Sequence, residues 1–177
     1  NDARSTQDWI AQVLHHGAGW NDALFLMAAY RAADETALQE IDAISRAVSA
    51  SFERLKETDL QGTAFSKAVS HLTGIKAARL TYPVAVGWAA QRAQLPLELT
   101  AQMYLQSFAS TLASAAMRLV PLGQSEGQAI IRDLARLPTS FMQGTLTHDL
   151  NDLSSTAFLA DIAAMQHETQ YSRIFRT

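Results

Sequence analysis

The chain has five histidines (His15, His16, His71, His148 and His167) and no cysteine. These are the residue types from which a metal centre or a nucleophile would be built. His15 and His16 are adjacent, so on a helix they point about 100° apart and are badly placed to share one ion. No H-E-x-x-H or E-x-x-H pair supplies ligand spacing. His167-Glu168 is an adjacent pair, not one at i, i+3 or i, i+4. The missing cysteine removes disulfides, thiolate metal sites and a cysteine nucleophile. His148-Asp149 offers two members of a hydrolytic triad, but no G-x-S-x-G elbow accompanies it. No G-x-x-x-x-G-K-[ST] stretch is present for a nucleotide's phosphates. Gly123-Gln124-Ser125-Glu126-Gly127 follows no strand pattern and reads as a helix–helix connection. Glu53, Glu57 and Asp59 read as a solvated helix face, and Trp9, Trp20 and Trp88 as core anchors. Without a nucleophile–base pair or a ligand cluster, recognition by surfaces is the chemistry left.

The elements that would hold such surfaces are helical. A chain of 177 residues with 48% hydrophobic and 18% charged residues suits one folded domain with a real core. The net charge of -3, with 14 scattered Lys and Arg, gives no basic field for nucleic acid. No apolar run reaches the roughly 18 residues of a membrane span, and no signal-peptide pattern opens the chain. Lack of cysteine fits a reducing compartment. Ser5 is the expected N-cap of a first helix whose apolar face is Trp9, Ile10, Val13 and Leu14, with Gly17 and Gly19 as its stop. A second helix is expected from about residue 21. A third is expected over 35–55, with Leu38, Ile41, Ile44 and Val48 as its stripe. "LQGTAFSKAVSHLTG" predicts a fourth helix ending at Gly74. Pro83 opens a fifth at a position where its missing N–H costs nothing. A long helix is expected over 97–119, and its small residues from Ala109 to Ala116 are placed in the core.

Ser125 with Gln128 has the spacing of a capping box for the next helix. Pro138 would end that helix and Thr139 or Ser140 open a short one. A last helix is expected over 155–166. No period-2 pattern is sustained, so the expectation is an all-α, single-domain helical bundle of about eight or nine helices over residues 1–166. The closing "HETQYSRIFRT" differs from the rest, being polar, aromatic and basic. Residues 167–177 are therefore set apart as a tail.

Two stretches then tie the chain to a known family. "SAAMRLVPLGQSEGQ" (114–128) and "DIAAMQHETQYSRIFRT" (161–177) resemble the central and C-terminal signatures of the urease accessory protein UreF family. "YPVAVGWAA" (82–90) and "QGTAFSKA" (61–68) are similar to weaker blocks of that family, and "WIAQVLHHGAGWNDALFLMAAYRA" fits its early helices. Against the family pattern the chain reads as truncated at its N-terminus. Gln166 stands where Arg is common, and Thr177 replaces a common Ser.

The resemblance implies a non-catalytic, all-helical assembly factor that forms a homodimer. It implies binding to UreD (also called UreH), recruitment and regulation of the GTPase UreG, and nickel insertion into the urease apoprotein in the cytoplasm. It implies no tightly bound cofactor, nickel being the cargo of the complex, and neither nucleic acid nor membrane as partner. His167, Glu168, Tyr171, Arg173, Phe175 and Arg176 become partner-binding candidates. Aromatic and Arg side chains are frequent interface anchors, and Arg pairs bidentately with carboxylates. Arg118, Gly123 and Gln124 become candidates for a dimer or subunit interface, against a purely structural turn. The alternative reading is a metal-binding carrier or another helical scaffold.

Overall fold

A computed structural model describes residues 2–76, 78–136, 142, 144–154 and 156–170. It is all-α, and no strand occurs among the described residues. The helices are α1 (Ala3–His16), α2 (Ala18–Arg31), α3 (Glu35–Ala47), α4 (Phe52–Thr73), α5 (Tyr82–Arg92), α6 (Leu97–Leu119), α7 (Gln124–Leu134) and α8 (Phe158–Glu168). A 3-10 turn spans Leu150–Asp152. The connection expected around Pro138, Thr139 and Ser140 lies outside the described residues.

Caps decide where the helices start, and several differ from expectation. Asp2, not Ser5, is the N-cap of α1: its carboxylate accepts the Ser5 N–H at 2.8 Å, while the Ser5 hydroxyl accepts the Asp2 N–H at 3.0 Å. Gly17 ends α1, but Gly19 lies inside α2, which begins at Ala18. The single helix expected over 35–55 is two, because Ser51 takes up extended backbone and accepts the Arg54 N–H, starting α4. Gly74 closes α4 with φ +73°, a conformation that suits glycine. At α7 the N-cap lies two residues before Ser125, and only the return half of a capping box forms there, glycine having no side chain to supply the other. Gly123 is the N-cap, and Glu126 reaches back to its N–H at 2.8 Å.

The chain divides into two compact units, Asn1–Ala23 with Glu98–Ala157, and Leu24–Leu97 with Phe158–Thr177. In the first, α1 packs on α7. Ile10, Val13, Leu14, Ile130 and Leu134 are buried, as are Ala109, Ala113 and Ala116 of α6. A Cβ on Gly127 would lie 1.9 Å from the Met117 sulfur, so α6 and α7 meet closely there. The buried Tyr104 hydroxyl donates to the buried Asp22 carboxylate at 2.6 Å. Residues 148–154 and 156–157 are strapped down by hydrogen bonds. The Trp20 indole donates to the Asp152 carbonyl, the Ser154 N–H to the Asn21 side chain, and the Thr156 and Ala157 N–H groups to the His16 carbonyl. Trp20 is thus a half-buried anchor, while Trp9 is 46% exposed and only Trp88 is a core tryptophan.

In the second unit α5 packs on α4 and α3, and α8 lies on α4. The buried face of α3 is Leu38, Asp42 and Ser45, whereas Ile44 and Val48 of the expected stripe are exposed. The reason is polar. Asp42 accepts the Thr81 N–H at 2.6 Å, and Ser45 accepts the Thr81 hydroxyl at 3.0 Å, at the start of α5. Thr58 of α4 accepts the Tyr82 N–H at 3.1 Å. Side chains of α3 and α4 thus satisfy N–H groups at the α5 start, where Thr81 makes no cap bond of its own.

Two glycines permit this approach. A Cβ on Gly62 would stand 2.0 Å from the Leu80 carbonyl oxygen, and one on Gly87 would stand 2.1 Å from that of Leu26. Backbone oxygens cannot step aside as a side chain can. Gly62→Ala and Gly87→Ala should therefore each cost about 3 kcal/mol or more, despite alanine's better helix propensity. Urea unfolding of each variant against wild type measures this, and Gly144→Ala, at an exposed position with nothing within 4 Å of the added Cβ, is the near-neutral control.

Candidate partner-docking site

The sequence candidates fall into three places. His167 and Glu168 form the last turn of α8, which runs two residues beyond the expected end at Gln166. Tyr171, Arg173, Phe175 and Arg176 lie outside the described residues. Arg118 lies in the last turn of α6, and Gly123 and Gln124 open α7; all three are exposed.

α8 is an unusual helix for a globular unit. None of its residues is buried, and Phe158, Leu159, Ile162 and Met165 are exposed at positions spaced for one face. Its last turn is fixed to the first turn of α4 by polar contacts. Glu168 accepts the Phe52 N–H at 2.7 Å, one of the orphan donors at the α4 start, where a carboxylate also meets the positive end of the helix dipole. His167 Nδ1 lies 2.5 Å from Glu53 Oε2. A carboxylate can only accept, so Nδ1 carries the proton in this contact. Both partners are largely shielded, with side-chain exposures of 31% and 23%. Sequence reasoning placed Glu53 on a solvated face. The one available signal was Ser51, whose cap puts Glu53 in a first turn.

Asp59 leaves that solvated face as well. Its carboxylate is held by Arg46 at 2.7 Å and by Arg79 at 2.9 Å, and Arg46 also bonds Asp42 at 2.6 Å. The hydrogen bond from Arg79, joined by that from Arg46, keeps the Asp59 carboxyl below its ordinary value despite partial burial. This cluster ties α3, α4 and the segment before α5 together, so it frames α4 rather than acting on a substrate. Glu57 pairs with Arg54 at 2.9 Å.

α7 presents a shallow, open groove lined by Gln124, Ser125, Gln128, Ala129 and Arg132. Arg132 is engaged with Asp133 at 2.8 Å. His148, the imagined triad member, contacts the Asp152 carboxylate at 3.0 Å and the Trp20 ring edge-on. Among the described residues no three His, Asp or Glu side chains are grouped to hold a metal ion. Among them, too, no helix is long and apolar enough to cross a membrane.

The sequence is similar to those of known proteins along almost the whole chain. The UreF family model matches residues 1–135. The urease accessory protein UreF of Ruegeria pomeroyi is 55% identical over 176 residues, covering 99% of this chain and 81% of that protein. The chain belongs to the UreF family. UreF proteins of Roseobacter denitrificans and Cereibacter sphaeroides are 48% and 44% identical over the same 176 residues, covering 79% and 82% of their lengths. The family places the chain in urease maturation, as a non-catalytic chaperone of the nickel-insertion machinery. A UreF protein works through contacts, which makes exposed features such as α8 and the α6–α7 connection the parts to probe.

The framing cluster has a pH signature. A carboxyl whose folded value lies below its unfolded value of 3.8 stabilises the fold above that pH, and this contribution is lost as pH falls through the folded value. Asp59→Asn should therefore lower stability at neutral pH and flatten the loss of stability below about pH 4. Melting temperatures of both proteins from pH 7 down to 2.5 give the comparison; parallel curves would remove Asp59 from the acid response.

Proposed function

We propose that this chain binds the UreD/UreH subunit and, within that complex, recruits and regulates the GTPase UreG for nickel insertion into the urease apoprotein. Carrying this reading is the 55% identity to a urease accessory protein over nearly the full chain. Nickel is cargo passed through the assembly, and the work is done in the cytoplasm by a homodimer. Residues 167–177 are the docking segment. Tyr171 and Phe175 supply anchoring area, and Arg173 and Arg176 supply carboxylate pairing. His167 and Glu168 form the root of the segment. The exposed Arg118, Gly123 and Gln124 belong to a dimer or subunit contact.

The geometry of α8 supports docking near this end. A helix with no buried residue and four exposed large apolar side chains gains little from its own unit, and such a face is stabilised when a partner covers it. Regulation of the GTPase follows if UreG meets its competent geometry only in the assembled complex. The chain would then control hydrolysis by where it holds the partner.

Arg173→Ala tests the docking segment. Recovery of UreD/UreH and UreG with the tagged chain from cells expressing all the components should fall about tenfold or more, the loss expected of an interface Arg anchor. The melting temperature of the purified variant should stay at the wild-type value. Full recovery of partners would reject the docking role of the segment.

A further inference from the structure

We infer that Glu53 is a positioning residue for the C-terminal docking segment: its carboxylate fixes His167 and so sets where the chain departs from α8. The inference rests on the docking reading above and adds to it a residue more than a hundred positions away in sequence, with no contact to a partner required. Three observations carry it. The His167–Glu53 contact is short, 2.5 Å, and both side chains are substantially shielded, so it is stronger than an exposed surface pair. It is doubled by the adjacent Glu168, which accepts the Phe52 N–H at 2.7 Å, so two consecutive residues of α8 seat on two consecutive residues of α4. No residue of α8 is fully buried where it lies on α4, so its last turn, with His167 and Glu168 half-buried, is held there chiefly by these polar contacts.

His167 and Glu168 therefore have an intramolecular task. They are committed to the first turn of α4, which holds the root of the docking segment in place. α4 is itself framed by the Arg46–Asp59–Arg79 cluster and by Thr58 on the Tyr82 N–H, so the reference point is a rigid one. A docking segment launched from a fixed root loses less freedom on binding than one launched from a loose helix.

Glu53 also lies in the first turn of α4, where any carboxylate helps the helix dipole. Glu53→Asp separates the two roles, because it keeps the charge in that turn and shortens the reach by one methylene. Hydrogen–deuterium exchange of the full purified chain should show amides of residues 158–170 exchanging about tenfold faster in both Glu53→Ala and Glu53→Asp, as expected when a charge-assisted hydrogen bond is lost. In Glu53→Asp the amides of α4 and α5 should keep wild-type protection.

UreD/UreH recovered with either variant should fall several-fold, at an unchanged melting temperature for Glu53→Asp. Unchanged exchange in α8 for Glu53→Ala overturns the inference. So does wild-type behaviour of Glu53→Asp, which would reduce Glu53 to a dipole partner. Faster α8 exchange with full partner recovery overturns the positioning role while Arg173→Ala still reports on docking. If Arg173→Ala also leaves recovery intact, the docking reading itself has failed.

Discussion

The buried carboxylate of Asp42 is the constraint on which the second unit depends. Taking a charge out of water is costly, and Asp42 offsets that cost by accepting from Arg46 on its own helix and from the Thr81 N–H. The second bond fixes where α5 starts. Once Thr81 is placed, the Tyr82 N–H falls to Thr58, the backbone at Leu80 comes against Gly62, and Pro83 sets the first turn. α5 is then buried along most of its length, with Val84, Ala85, Trp88, Ala89 and Ala90 in the core. Arg46 carries the same network outward to Asp59 and thence to Arg79. A polar centre of this kind is sensitive to geometry in a way an oily one is not, and it orders the helices around it.

How much of this was legible in the sequence varies with the kind of signal. The helices themselves were, because Pro83, Gly74 and the 97–119 run carry local cues. The all-α class followed from the lack of any sustained alternation. The break between α3 and α4 was missed because an apolar period ran on through Val48 to Phe52 and hid the capping Ser51. Periodicity also chose the wrong face of α3. Ile44 and Val48 have the hydrophobicity for a core, but the α5 start demanded acceptors, and Asp42 and Ser45 took the inward positions. No pattern along one helix can reveal a demand made by the end of another. Glu53 and Asp59 were missed for the same reason, since their partners lie outside their own helix.

The candidate site divides along the same line. Family likeness in the stretch 161–177 pointed to its residues, and chemistry alone pointed only to an aromatic, basic segment. What the structure adds is the anchorage of its first two members on α4. Of the five histidines, which a search for reactivity would take first, two serve as structural hydrogen-bonding groups: His148 against Asp152 and His167 against Glu53. That use suits a member of a family of non-catalytic chaperones.

The seat of Trp20 has an optical consequence. Its indole donates to the Asp152 carbonyl at 2.9 Å and meets the imidazole of His148 edge-on at 5.2 Å, and both groups belong to the strapped segment 148–154. Indole emission shifts with the polarity and dipoles around the ring, so lifting of that segment would change the fluorophore's surroundings without disturbing the buried Trp88. The chain thus contains an intrinsic reporter of whether the strap is seated, and replacing the exposed Trp9 with Phe would clear the background against which it is read.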